Sequence, residues 1–255
     1  MTNRVFTLLY GAFSYLLFLV TFLYAVGFVG DFAVPKSMDS PAAGAWPMAL
    51  LIDLGLLGLF GAQHSVMARP AFKRMFTRIV PVAAERSTYV LASSSALLFL
   101  FWQWQPLGGV IWDVRNEWGS TLLYTGFLLG WLLVLYVTFL INHFDLFGLQ
   151  QVWRNLKGQP QGKVKFATPL LYRMVRHPLY VGFLTAFWCT PTMTVTHLVF
   201  ALGTTAYILV AIQLEERNLI EAHPEYAEYR KRVPMLVPSL PQREETVHSV
   251  SLKHG

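Results

Sequence analysis

Apolar positions in this chain fall in long, unbroken runs, not at the spacing of a half-buried helix or strand. Arg4 precedes an apolar, aromatic run from Val5 to Val29, long enough to cross a hydrocarbon layer about 30 Å thick. A second run extends from about Pro47 to Met67, holds Asp53 within it and ends in Gln63-His64-Ser65. A third, about 88–105, closes on Phe101-Trp102-Gln103-Trp104-Gln105-Pro106, whose tryptophans read as an interfacial belt. A fourth spans about 118–142, and the last stretch covers 179–214 with Pro191 and three threonines near its middle. Lipid offers the backbone no hydrogen-bond partners, so such runs fold as helices. The last stretch divides into two helices, about 179–190 and 194–214. Each arm is shorter than a normal span, which leaves open whether this hairpin reaches the far surface.

The pattern therefore predicts an all-α polytopic integral membrane protein: four full spans, a C-terminal hydrophobic helical hairpin and an amphipathic cytoplasmic tail. A single membrane domain covers 1–255, with spans one to four in 1–142. A polar loop, the hairpin and a capping tail occupy 143–238, and 239–255 is a flexible tail.

The polar segments between the runs set orientation. Loops 30–46 (Asp31, Lys36, Asp39) and 106–117 (Asp113, Arg115, Glu117) hold little positive charge. Loop 68–87 carries Arg69, Lys73, Arg74, Arg78 and Arg86 against Glu85, which reads as the ion-pair partner of Arg86. The stretch 143–177 carries Arg154, Lys157, Lys163, Lys165, Arg173 and Arg176, and the tail Arg230, Lys231, Arg232 and Arg243. Basic loops stay on the cytoplasmic side. The N-terminus, both basic loops and the tail are then cytoplasmic, in a bacterial inner membrane, and 179–214 must enter and return.

Composition agrees. Of 255 residues, 55% are hydrophobic and 13% charged, about half the charge of an average soluble domain. The first run is too long for a signal-peptide core and is read as a true span. The net charge of +6 sits in a few loops, which suits topology and anionic lipid and excludes a nucleic-acid partner as the main reading. The single cysteine, Cys189, excludes an intramolecular disulfide and a Cys-rich metal site; it reads as packing.

Chemistry concentrates in 173–182, Arg-Met-Val-Arg-His-Pro-Leu-Tyr-Val-Gly. Pro178 suits the first position of a helix, with His177 at or beside its N-cap. That helix start and Arg173, Arg176 and His177 favour an anion. Beyond the hairpin stands Glu215-Glu216-Arg217-Asn218. If the stretch folds back, the two clusters meet at one membrane face and suit a ligand with both an acidic and a basic group.

Arg176-His177-Pro178-Leu179-Tyr180-Val181-Gly182, the hairpin, Glu215-Glu216-Arg217-Asn218-Leu219, Tyr226-Ala227-Glu228-Tyr229 and Val233-Pro234-Met235-Leu236-Val237-Pro238 resemble the integral-membrane methyltransferases. That superfamily includes the isoprenylcysteine carboxyl and phospholipid methyltransferases. One departure is His223-Pro224, where the family often has Phe-Gly. The N-terminal motifs narrow the resemblance: Gln63-His64-Ser65-Val66-Met67-Ala68-Arg69, Glu85-Arg86-Ser87-Thr88-Tyr89, Phe101-Trp102-Gln103-Trp104 and Asn142-His143-Phe144-Asp145-Leu146-Phe147-Gly148-Leu149 look like the bacterial methanethiol S-methyltransferases. The resemblance implies methyl transfer from S-adenosylmethionine to a small volatile thiol, methanethiol giving dimethyl sulfide, with hydrogen sulfide as a second substrate.

That donor has a carboxylate, an ammonium, a sulfonium and an adenine ring. Its carboxylate suits Arg176, His177 and the helix start at Pro178; its ammonium suits Glu215 or Glu216. Its sulfonium suits the faces of Tyr180, Tyr226 and Tyr229, and Gly182 allows close approach of ligand or helix. For thiol deprotonation the candidates are His64 with Ser65 and His143 with Asn142 and Asp145, facing each other beside the methyl group. A metal set from His64, His143 and Asp145 matches no compact spacing, and no metal is expected. Asp53 is read first as a buried structural hydrogen bond. The rival readings are methylation of a phospholipid amine or prenylated cysteine, and a non-enzymatic denitrification-associated membrane protein or transporter. The sequence is silent on oligomeric state.

Overall fold

A computed structural model describes residues 2–42, 44–162 and 170–239. Lys163, Lys165, Arg243 and all but the first residue of the expected 239–255 tail lie outside the described residues. The chain is an all-α membrane bundle. Helices α1 (Thr2–Gly30), α2 (Trp46–Ala68) and α5 (Glu117–Ile141) coincide with the first, second and fourth apolar runs. Helix α4 (Val82–Gln103) begins six residues earlier than the third run suggests, and packs along both α1 and α2. Short helices α3 (Pro70–Phe76), α6 (His143–Leu146) and α7 (Leu149–Leu156) order the two basic loops.

The hairpin is α8 (Pro178–Trp188) and α9 (Val195–Ala222). Its second arm is 28 residues long, not the short arm expected. The helix runs without a break through Glu215 and Glu216, so both carboxylates stand on α9 and not in a separate tail. Among the described residues four helices are long and apolar enough to cross a membrane, namely α1, α2, α5 and α9.

The hairpin does reach the far end of the bundle. Its tip forms a strand, β2 (Thr192–Thr194), antiparallel to β1 (Val110–Asp113), with Asp113 opposite Thr192 and a bulge between Val110 and Trp112. Thr194 accepts from the His197 N–H at 2.9 Å as the N-cap of α9, and its hydroxyl donates to Asp39 at 2.5 Å. The Leu107 N–H donates to Thr196 Oγ1 at 2.8 Å.

Two glycines seat α8 against α5. A Cβ on Gly130 would lie 2.6 Å from the Ala186 nitrogen, and one on Gly182 would lie 2.9 Å from the Gly130 carbonyl. Close backbone approach of this kind drives helix association in lipid, where apolar surface alone gives no preference. The side of Gly182 on which a Cβ would stand is therefore filled by α5. An aromatic core ties the spans at the tip end, with Phe28 against Phe101 at 4.6 Å and Trp104 against Phe200 at 5.6 Å. This overturns half of the expected interfacial belt: Trp104 is 0% exposed in that core, while Trp102 is 68% exposed.

Candidate active site

The opposite end of the bundle gathers the start of α1, the end of α2, the start of α4, the end of α9 and the segment 172–182. A last helix, α10 (Tyr226–Arg232), and the strap 233–239 close over it. The backbone N–H groups of Arg176 and His177 donate to the carbonyls of Pro234 and Met235 at 2.9 and 3.2 Å, and the Ser239 N–H donates to the Met174 carbonyl at 3.1 Å. The strap is thus paired to the chain just before α8. Pro178 opens α8 as the sequence suggests, and the His177 side chain at the N-cap does not cap that helix start.

Glu216, 3% exposed, is the hub. Its Oε1 accepts from Arg176 Nε at 2.7 Å, from His177 Nε2 at 3.0 Å and from the Tyr226 hydroxyl at 3.3 Å. Its Oε2 faces Arg230 Nε at 3.1 Å. Arg176 Nη1 also donates to the carbonyls of Arg230 and Val233, at 3.0 and 2.5 Å. This buried carboxylate, between two guanidinium groups and a histidine, fixes α8, α9, α10 and the strap to one another. Tyr229, expected to face a sulfonium, instead donates its hydroxyl to the Tyr172 carbonyl at 2.5 Å and sets its ring against Tyr226 at 5.4 Å. Burial pushes the Tyr229 phenol up to about 12 and also raises that of Tyr226, so both remain donors at neutral pH.

Glu215 is built differently. It is exposed, and among the described residues it forms no ion pair. Its Oε2 accepts from the Tyr180 hydroxyl at 3.1 Å. The Tyr89, Tyr172 and Tyr180 hydroxyls all lie within its electrostatic reach, and that of Tyr207 lies within reach of Tyr89 and Tyr180. The His177 ring lies 5.6 Å from that of Tyr180, which joins the hub to this second cluster. An open carboxylate among phenol rings is a setting for a cation.

His64 belongs to the same neighbourhood. The Tyr89 hydroxyl is 2.8 Å from its Nε2, and Ser93 Oγ is 3.1 Å from its Nδ1. Ser65 Oγ is 3.2 Å from the Tyr207 hydroxyl. Arg86 does not pair with Glu85, correcting the expected ion pair. Its Nε donates to the Leu146 carbonyl at 2.6 Å, and its guanidinium lies 5.0 Å from the Tyr89 ring centre.

Among the described residues His143 and His64 share no hydrogen-bond partner. The single Thr138 hydroxyl proton goes to the Leu135 carbonyl at 2.6 Å, so Thr138 accepts from His143 Nδ1 at 2.8 Å. His143 Nε2 then accepts from the Tyr15 hydroxyl at 2.8 Å, and Phe139 stacks on the ring at 4.2 Å. Both nitrogens are engaged within an aromatic cage on α1, α5 and α6. Asp145 lies within α6: its N–H donates to Asn142 Oδ1 at 3.3 Å, and its carbonyl and Oδ1 accept from Gln151 Nε2 at 3.0 and 3.2 Å. Among the described residues no three His, Cys, Asp or Glu side chains gather as a metal set.

The sequence reading missed Tyr89, Tyr172 and Tyr207 as members of this site. One signal existed for Tyr207: it stands eight residues before Glu215, two helical repeats of four, and so shares a face with it.

Comparisons with known proteins follow the same lines. The chain is 56% identical over 237 residues to the methanethiol S-methyltransferase of Crocosphaera subtropica, covering 92% of this chain and 93% of that one. It is 54% identical over 237 residues to the methanethiol S-methyltransferase of Mycobacterium tuberculosis, covering 92% of this chain and 97% of that one. It is 30% identical over 206 residues to Nurim of Bos taurus, covering 76% of this chain and 78% of that one. No protein-family model matches the chain, and no solved structure matches it.

Proposed function

The chain belongs to the methanethiol S-methyltransferase family and is an enzyme that methylates a small thiol; from that premise we propose how its residues divide the work. The donor is S-adenosylmethionine, which when bound supplies a methyl group on a cationic sulfur. The observation that carries this reading is the pair of adjacent carboxylates with opposite circumstances. Glu216 is fully engaged by Arg176, His177, Tyr226 and Arg230, while Glu215 is exposed and, among the described residues, accepts only from the Tyr180 phenol. Glu215 holds the positive part of the donor, with Tyr180 and its neighbouring phenols. The uncapped start of α8 beside His177 suits the donor's carboxylate. Arg176 and Glu216 position these groups from behind.

The acceptor must lose a proton to attack, because the thiolate is the nucleophile. Tyr89 and His64 are the groups that take it: the hydroxyl of Tyr89 faces the Glu215 cluster, and His64 stands behind that hydroxyl at 2.8 Å. A thiolate meeting a sulfonium cancels charge, so a site shielded from water by the bundle and the strap favours the transfer. The product is dimethyl sulfide when the acceptor is methanethiol. The basic loops at this end suit the cytoplasmic face of a bacterial inner membrane.

The test uses purified protein in detergent with S-adenosylmethionine and methanethiol, following dimethyl sulfide by gas chromatography. Glu215→Gln is expected to raise the KM for the donor about 10- to 150-fold, the loss of one hydrogen bond to a charged group, with thermal unfolding unchanged. Wild-type protein that neither binds the donor nor makes dimethyl sulfide would sink the reading. An unchanged donor KM in Glu215→Gln would move the cation site elsewhere.

A further inference from the structure

We propose that Tyr207 sets the upper size of the thiol this enzyme accepts, because its ring closes the seam between α2 and α9 beside the reacting groups. The proposal rests on the thiol methyltransferase reading and deepens it to the choice of acceptor.

The ring of Tyr207 lies directly on the backbone of α2. A Cβ at Gly61 would be 3.0 Å from Tyr207 Cδ2 and 3.1 Å from Cε2. The hydroxyl meets Ser65 at 3.2 Å, one turn further along α2. Phe60 packs against the Tyr207 ring at 6.2 Å and against the His64 ring at 5.3 Å. Tyr207 therefore stands one aromatic ring away from the group proposed to take the thiol proton. One turn earlier on each helix, α9 offers Gly203 to Leu57: a Cβ there would be 2.7 Å from Leu57 Cδ1. Positions 57, 61 and 65 on α2 meet 203 and 207 on α9, a four-residue repeat that keeps all five on one seam. In this seam the glycines create the fit and Tyr207 supplies the bulk.

The seam matters because a small apolar thiol dissolves in lipid and reaches the site from the side. The outer face of α2 is open to that lipid, as Leu51, Leu54 and Leu59 are exposed. A thiol with a longer alkyl chain must keep that chain where the Tyr207 ring lies. Each methylene in or out of a shaped apolar pocket changes relative kcat/KM by about 10- to 200-fold. A filled seam therefore selects for the shortest thiols, and an emptied one admits longer ones.

The experiment compares kcat/KM for methanethiol and 1-propanethiol in detergent-purified full-length protein with S-adenosylmethionine. Wild type is expected to favour methanethiol at least tenfold. Tyr207→Phe keeps the ring and is expected to keep that ratio. Tyr207→Ala is expected to shift it toward 1-propanethiol by tenfold or more. Gly61→Ala pushes the ring aside and is expected to lower methanethiol turnover without admitting 1-propanethiol. If Tyr207→Ala does not fold, Tyr207→Leu replaces it, with a shift expected in the same direction. A ratio unchanged in Tyr207→Ala or Tyr207→Leu, or a shift of equal size in Tyr207→Phe, overturns the proposal while leaving the methyltransferase reading intact. Wild-type protein that makes no dimethyl sulfide from methanethiol overturns both.

Discussion

The two ends of this bundle both place polar groups where lipid surrounds them, yet they do so for different ends. At the hairpin tip polar side chains tie one piece of backbone or one neighbour to another. Asp53, fully buried, accepts from the Gln105 N–H at 2.8 Å; Lys36 donates to the Trp102 carbonyl at 2.5 Å; Thr194 caps α9 and reaches Asp39. At the other end one carboxylate, Glu216, gathers two arginines, a histidine and a tyrosine, and the next residue leaves its carboxylate open. The tip resolves the cost of placing polar groups in a membrane protein. The motif end, on the function proposed above, holds polarity in reserve for a ligand. The difference also separates two histidines that the sequence offers as candidate bases: His143 has both nitrogens engaged in a cage, whereas His64 leads through Tyr89 to the open carboxylate.

The hardest blow to that contrast is Glu216→Ala. Removing the hub leaves Arg176 and Arg230 facing each other without a counter-charge, a loss of about 3–5 kcal/mol for a broken buried pair, and abolishes dimethyl sulfide formation. Thermal unfolding with a gas-chromatographic assay checks both, and a stable, active variant would mean that the hub organises nothing. Next comes His64→Ala, expected to lower kcat about 100-fold or more, as loss of general base assistance does, with donor binding retained. Tyr89→Phe should follow it, and a normal kcat in both would remove this pair from the proton path. At the tip, Thr194→Ala is expected to lose about 1 kcal/mol through the missing N-cap and to leave kcat and both KM values in place. An activity loss larger than the stability loss would show that the two ends are coupled. The smallest effect concerns His143. Burial holds its pKa below the ordinary histidine range, so the folded chain keeps it neutral while the unfolded chain protonates it first. Its contribution to stability is full above about pH 6.5 and falls as the medium is acidified. Unfolding temperatures at pH 7.5 and 5.5 should therefore converge between wild type and His143→Gln in acid, and parallel curves would refute the cage.

Most of the architecture was legible in the runs themselves. Helices α1, α2 and α5 follow because stretches of Leu, Phe and Val this long can satisfy their backbone in lipid only as helices. The meeting of 173–182 with Glu215-Glu216 was also legible, since a basic loop and a basic tail must lie on the same side. The strand pair at the tip was not. Three or four residues become a strand only when a partner segment, here 110–113, arrives beside them. Nor could sequence place Trp104 in the core and Trp102 outside it, because both sit in one aromatic motif and only the rotation of α4 distinguishes them.

What the sequence determined by itself is the chemistry that had to be present: membrane helices with an uneven distribution of loop charge, and a motif that sets Arg176 and His177 against two glutamates. Those follow from solvation, which acts on each residue according to its own polarity. Which glutamate is closed and which is open was decided by tertiary structure alone. Adjacent residues on a helix point about 100° apart, so Glu216 turns into the bundle toward Arg176 and Arg230 while Glu215 turns toward Tyr180 and the site. The same rotation brings Tyr207 onto Gly61, a contact that exists only once α9 has returned through the membrane to lie against α2.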